Sequence, residues 1–275
     1  MDVSGGFKGK NRQRRNTMLT NYHTHCKRCG HAGGDEEEYV VEAINNKFEI
    51  LGMSDHIPYP DFDYGSRMEF AKKDEYLDTL ENLKEKYKKK ITLYAGFESE
   101  YLPEYDKYYE QLLNDKRCDY LILGPHFYQK SSGTIQYVYD IYDEELYDEY
   151  AKNIIEAMKT GYFKFVCHPD LIGVNDFKIG KKHLRAFDTI ANAASKYGFT
   201  LEYNANGLRR GIAKLSSGSR IAYPRNELWD MIKGTDIKVV VGSDCHSVDA
   251  LNDEYMAKSL EFIGHGFNHI EEIQM

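Results

Sequence analysis

The sequence predicts an α/β protein built from seven consecutive strand–helix units, and two observations carry that reading. Seven short runs of β-forming residues recur along the chain, separated by longer stretches with apolar residues at helical spacing. Each run also ends on histidine, carboxylate or other polar residues, so the units repeat in chemistry as well as in length.

Strands are expected over residues 19–23, 49–53, 91–96, 120–123, 163–167, 200–203 and 238–241. Helical faces lie between them. Tyr39, Ala43 and Ile44 form the first, and Tyr76, Leu80 and Leu83 the second, with Glu and Lys on its outer side. Ile154, Ile155 and Met158 follow, then Phe187, Ile190, Ala191 and Ala194, then Met256, Leu260 and Ile263. Parallel neighbours need crossovers of about a dozen residues, which helices supply. No Pro/Ser-rich linker divides the units, so one domain over residues 18–275 is expected. Periodicity alone leaves a closed barrel and a doubly wound open sheet as alternatives.

The bulk numbers set limits. A chain of 275 residues, 41% hydrophobic and 29% charged, is ordinary for a globular protein with a sizeable core. Its 36 basic and 44 acidic residues give a net charge of -8, which supplies no general attraction to nucleic acid or anionic lipid. Neither partner is expected, and a phosphorylated substrate would have to be met by local cations or metals. No apolar run approaches the roughly 20 residues of a membrane span, and no apolar segment follows Met1. Cys26, Cys29, Cys118, Cys167 and Cys245 show no disulfide framework, and a cytoplasmic location is expected. Residues 1–17, with Lys8, Lys10, Arg12, Arg14 and Arg15, read as a disordered or non-native basic extension rather than a nucleic-acid arm.

The polar residues at the strand ends are the main signal. His23 and His25 close the first strand, Ser54-Asp55-His56 the second, and Glu98 and Glu100 the third. Gly124-Pro125-His126 follows the fourth, His168-Pro169-Asp170 the fifth, Asn204 and Asn206 the sixth, and Ser243-Asp244-Cys245-His246 the last. In a barrel these ends converge on one face, where active sites are assembled from several strands. Each histidine taken alone reads as a surface or hydrogen-bonded residue; all of them at equivalent positions read as a site. Seven imidazoles (His23, His25, His31, His56, His126, His168, His246) with Glu98 and Asp244 exceed the three or four ligands of one zinc. Two or three divalent ions sharing bridging carboxylates are expected, with zinc, iron and manganese equally suited. Alternate strand residues point the same way, so His23 and His25 can reach one ion. The Cys26-Lys27-Arg28-Cys29 motif could form a zinc knuckle, but it would need His25 and His31, which fit the larger cluster better.

The motifs His23-Thr24-His25, Cys29-Gly30-His31-Ala32, Ser54-Asp55-His56, Gly96-Phe97-Glu98, His168-Pro169-Asp170 and Ser243-Asp244-Cys245-His246 resemble the polymerase and histidinol phosphatase (PHP) family, in the family's order. Ser54-Asp55-His56-Ile57-Pro58, Gly65-Ser66-Arg67-Met68, Asn206-Gly207-Leu208-Arg209-Arg210 and Ala222-Tyr223-Pro224 are similar, more narrowly, to its monofunctional histidinol-phosphate phosphatases. The resemblance implies a distorted (β/α)7 barrel with the active site at the C-terminal ends of the strands. It implies a first ion on His23, His25, Glu98 and Asp244, a second on Glu98, His126 and His168, and a third on His31, His56 and His246. It also implies hydrolysis of histidinol phosphate in histidine biosynthesis; the metal motifs alone fit another phosphate ester, such as a nucleotide, sugar phosphate or phosphotyrosine. Gly124-Pro125 departs from the small and aliphatic residues usual before the fourth-strand histidine.

Phosphate monoesters need accelerations of up to about 10²¹-fold, far beyond the roughly 10²- to 10⁴-fold of general acid–base catalysis. The expected mechanism is therefore in-line attack by a metal-bridging hydroxide. Arg209 is the preferred phosphate clamp, with Arg210 and Arg67 as further candidates, because guanidinium meets phosphate in a bidentate way. Asp244 is expected to handle a proton or simply bind metal. Glu100 reads as a solvated carboxylate, or as a partner for the substrate's amine. Tyr22, Tyr59 and Phe127 are candidates to line its ring pocket, and the partner is a small-molecule phosphate ester.

Overall fold

The computed structural model describes residues 19–275. The basic segment 1–17, and the expectation attached to it, lies outside the described residues.

From the N-terminal end the elements run β1 (Thr20–Asn21), α1 (Glu36–Asn45), β2 (Ile50–His56), α2 (Lys73–Tyr87), β3 (Thr92–Ser99), α3 (Asp106–Asn114) and β4 (Tyr120–Leu123). A hairpin of β5 (Phe127–Gln129) and β6 (Ile135–Tyr137) follows, then α4 (Leu146–Thr160), β7 (Phe163–Val166), α5 (Lys181–Tyr197), β8 (Thr200–Asn204) and α6 (Ala205–Arg209). A second hairpin pairs β9 (Ile212–Leu215) with β10 (Gly218–Ile221). Then come α7 (Asn226–Trp229), β11 (Lys238–Gly242), α8 (Glu254–Ile263) and β12 (Asn268–His269).

All seven expected strands are present, as β1, β2, β3, β4, β7, β8 and β11, in one parallel sheet ordered as in the sequence. A doubly wound sheet would place its first strand in the interior of the order; here β1 is at one end. The sheet curls until that end meets β11. Thr24 bridges Cys245, the His25 amide donates to the Cys245 carbonyl at 3.1 Å, and the Asp244 amide donates to the His23 carbonyl at 2.9 Å. The barrel thus closes at the C-terminal ends of its strands, bringing the first and last polar motifs together.

At the other end β12 adds an eighth strand beside β11. Neither β12 nor the hairpins were expected: their strands are short and their polar, turn-rich segments leave residues such as Ile212 exposed. The helices cover the outside of the sheet with the faces read from the sequence, for Tyr39, Tyr76, Leu80, Ile154, Phe187, Ile190 and Met256 are fully buried. A smaller core of Tyr22, Tyr120, Ile122, Phe165, Val240 and Ile273 fills the barrel interior. Local signals set the ends of helices: an Asp35/Glu38 capping box opens α1, and Gly161 and Gly198, at φ 77° and 66°, end α4 and α5.

Candidate metal centre

The strand ends deliver all nine expected donors to one cluster. Glu98 lies near its centre. Its Oε1 is 2.9 Å from His168 Nε2, 3.4 Å from His23 Nε2 and 3.6 Å from His126 Nε2. Its Oε2 is 3.0 Å from His56 Nδ1 and 3.4 Å from His25 Nε2. Gly124 explains how this carboxylate fits, since a Cβ there would sit 2.2 Å from Glu98 Oε1. The unusual Gly124-Pro125 pair therefore makes room for Glu98, and His126 still reaches the cluster.

Asp244 completes the inner group. Its Oδ2 accepts from the side-chain amides of Asn204 at 3.2 Å and Asn206 at 3.1 Å. That turns Oδ1 toward His25 Nε2 at 3.1 Å and His23 Nε2 at 3.5 Å. His168 and Asp244 both hold positive φ, 31° and 47°, a region costly for non-glycine residues. Hydrogen bonds fix both: the His168 amide donates to Glu202 at 3.1 Å, and the Asp244 amide to the His23 carbonyl.

Donor chemistry fits cations. His23 Nδ1 donates to Glu202 at 2.7 Å and His25 Nδ1 faces Asp55 at 3.3 Å, so each ring turns its Nε2 inward, and these two atoms are 3.1 Å apart. The outer pair repeats the arrangement. His31 Nδ1 donates to the Cys29 carbonyl and His246 Nδ1 to the Asp244 carbonyl, leaving their Nε2 atoms 2.9 Å apart. Two lone pairs facing each other at that distance repel unless a cation lies against them. His56 Nδ1 and Glu98 Oε2, close but misaligned, are buried without a hydrogen-bond partner. Donor atoms of His23, His25 and Glu98 lie within 4.8 Å of one another, as do those of His25, His56 and His246 and those of His23, His168 and Asp244.

The electrostatics agree. Burial opposes charge on Glu98, but His126, His23 and His56 hold it well below the usual carboxylate range. Burial also opposes charge on Asp244, which His23, His25 and His246 keep ionised. For His25, burial is outweighed by Asp244 and Asp55, which lift its pKa to about 9. His246 is lowered to about 4 by burial and by His25. These residues could hold divalent metal, with His25 releasing its proton as the metal enters.

A cavity of about 220 Å³ opens over the cluster, and Arg67 and Arg210 line it. Arg209 does not, which corrects the expected clamp. Its guanidinium pairs with Asp253 (Nε to Oδ2, 2.7 Å) and donates to the carbonyls of Ser243 at 3.1 Å and Ala250 at 3.0 Å. Arg209 therefore braces the loop that carries Asp244. Arg210 donates to the Tyr139 hydroxyl at 3.0 Å and has no carboxylate partner among the described residues. Arg67 is buried against Tyr59, Tyr64 and Phe127 and paired with Glu100.

Glu100 is a second correction. It is buried rather than solvated, bound by Arg67 and facing His126 Nδ1 at 3.1 Å, so it is already neutralised and ties a cavity arginine to a metal-ligand candidate. Phe127 lines the cavity as expected, with Tyr64, Tyr137, Tyr139 and Tyr223 beside it. Tyr22 does not: its hydroxyl accepts the Ile273 amide in the interior core. Tyr59 lies behind Arg67, its hydroxyl 3.1 Å from Glu100 Oε2. Cys26 and Cys29 are buried thiols; Cys26 donates to Asp55 at 3.2 Å and Cys29 to the Cys26 carbonyl. Glu202 was missed, although a carboxylate inside an otherwise apolar strand run was a readable signal.

The PHP domain family matches residues 21–206 of this chain. A Deinococcus radiodurans protein named "Probable histidinol-phosphatase" is 27% identical over 84% of this chain and 87% of its own length. The histidinol-phosphatase of Bacillus subtilis is 25% identical over 86% of this chain and 96% of its own. Among solved structures, histidinol phosphate phosphatase from Lactococcus lactis, complexed with zinc, L-histidinol and phosphate, superposes with a TM-score of 0.65. That pair is 17% identical and covers 94% of this chain and 99% of the other, a likeness of fold. With the family matched over more than half the chain, and its motifs gathered at one barrel mouth, the protein belongs to the PHP domain family.

Proposed function

We propose that this protein is a metal-dependent phosphomonoesterase that hydrolyses histidinol phosphate to histidinol and phosphate, acting in the cytoplasm in histidine biosynthesis. One observation supports the reading: nine side chains of metal-ligand type converge beneath a cavity whose wall holds two arginines. The relatives named histidinol-phosphatase support the substrate.

His23, His25, Glu98 and Asp244 would hold one ion, Glu98 with His126 and His168 a second, and His31, His56 and His246 a third, with zinc, iron or manganese all suited to these donors. Bound divalent cations would supply Lewis acidity toward the phosphoryl oxygens and lower the pKa of an attacking water.

The chain's own groups do the rest. Arg210 and Arg67 bind phosphoryl oxygens not taken by metal, through charge-assisted hydrogen bonds. Glu100 and Tyr59 hold Arg67 in place. Asp244 is kept ionised by His23, His25 and His246 and oriented by two amide donors, so it is a ligand rather than a general acid. Tyr64, Phe127 and Tyr137 form an apolar wall that packs the leaving alcohol's ring and excludes bulk water.

Phosphate release from a panel of esters tests the substrate. Histidinol phosphate should give the highest kcat/KM; a nucleotide, sugar phosphate or phosphotyrosine hydrolysed more efficiently would overturn it.

A further inference from the structure

Two buried carboxylates outside the nine expected ligands share one arrangement. Glu202 Oε1 accepts from His23 Nδ1 at 2.7 Å, while its Oε2 accepts from the His168 amide at 3.1 Å and the Asn204 side chain at 2.9 Å. Asp55 Oδ1 faces His25 Nδ1 at 3.3 Å and accepts the His56 amide at 2.9 Å. Both side chains are fully buried. Each grips, from behind, the ring of a histidine following β1 and the backbone of a ligand candidate at the end of another strand.

We propose that Glu202 and Asp55 are positioning residues that couple the ion sites in pairs. Glu202 sets His23 and His168 as one unit, linking the first and second sites. Asp55 sets His25 and His56 as another, linking the first and third. The inference rests on the metal-centre reading above.

Three features argue that Glu202 is built for this. A Cβ on Gly242 would lie 1.7 Å from Glu202 Oε1, so a glycine clears its path. His168 stands at φ 31°, and its amide bond to Glu202 holds that backbone. Glu202 also receives three N–H donors on two oxygens. A glutamine offers one acceptor oxygen, and its NH₂ would meet other N–H groups. The isosteric change must therefore release His23 or His168, and a carboxylate behind a histidine also makes the opposite nitrogen a stronger metal donor.

The test is zinc titration of metal-free wild type, Glu202→Gln and Asp55→Asn, with cobalt absorption spectra reporting coordination at each site. In Glu202→Gln the first two ions should bind about 10- to 100-fold more weakly while the third is held as in wild type. In Asp55→Asn the first and third should weaken and the second persist. Circular dichroism melts of the metal-free proteins separate folding from binding; if one variant does not fold, the other carries the test. Affinities within twofold of wild type, or uniform weakening of every ion in both variants, would overturn the pairing while leaving the metal centre intact. Fewer than two ions in wild type would instead sink the metal-centre reading.

Discussion

His23 Nε2 and His25 Nε2 face each other at 3.1 Å, with Glu202 behind the first ring and Asp55 behind the second. The carboxylates hold both rings with Nε2 turned toward the cluster, an arrangement that suits a shared cation, so the folded chain should be stabilised by metal. A ligand that binds only the folded state contributes about 4 kcal/mol at a thousandfold excess over its Kd. Chelator-stripped protein should therefore melt several degrees lower than protein reloaded with zinc. Identical melting temperatures at saturating zinc would contradict the site.

The two neighbouring arginines should separate cleanly. Arg210→Ala removes a cavity guanidinium and should lower kcat/KM by roughly 10- to 100-fold with little change in melting temperature. Arg209→Ala breaks the Asp253 pair and two bonds to carbonyls, and should destabilise the fold by roughly 1–3 kcal/mol with a smaller catalytic effect. Steady-state kinetics beside denaturant melts decide it, and the reverse pattern would restore Arg209 as the clamp.

Gly124→Ala places a methyl against Glu98, which must move. Zinc affinity should fall at least about tenfold, while the metal-free fold loses only roughly 1–3 kcal/mol for overpacking. Unchanged zinc binding in a calorimetric titration would show that Glu98 is not held in the space Gly124 provides.

Much of this was legible in the sequence because strand ends in a barrel converge whatever their separation along the chain. His23, Glu98, His168 and Asp244 could be placed together from strand positions alone. What was not legible depends on partners brought in from elsewhere. Arg209 reads as a free phosphate-binding cation until Asp253, 44 residues later, folds onto it. Glu100 reads as solvated until Arg67, 33 residues earlier, covers it. The Gly124-Pro125 departure makes sense only once the Glu98 side chain is seen in the space beside it. The two hairpins left no clear pattern, since short, half-exposed strands lack an extended apolar alternation.

Away from the cluster, His183 is fully buried with both ring nitrogens unpartnered, and Glu144 lies 3.6 Å away. Burial, then the nearby Arg220 and Arg225, lower its pKa to about 4. The unfolded chain takes up this proton below about pH 6.5, whereas the folded chain refuses it until about pH 4. Protonation of His183 therefore has almost no effect on stability above about pH 7 and removes stability as the pH falls, by roughly 3 kcal/mol at pH 4. Metal-stripped His183→Leu should lose less stability than wild type between pH 7 and pH 4. Parallel pH profiles would contradict this assignment.

If the cluster hydrolyses the phosphate ester, activity must depend on Glu98, which reaches His23, His25, His56, His126 and His168. The most direct measurement is phosphate release from histidinol phosphate by wild type and Glu98→Gln, each assayed metal-stripped and metal-loaded. Wild type should be active only when loaded, and Glu98→Gln should lose at least about 100-fold in kcat/KM with fewer ions bound. Hydrolysis that survives both stripping and Glu98→Gln would place the chemistry elsewhere.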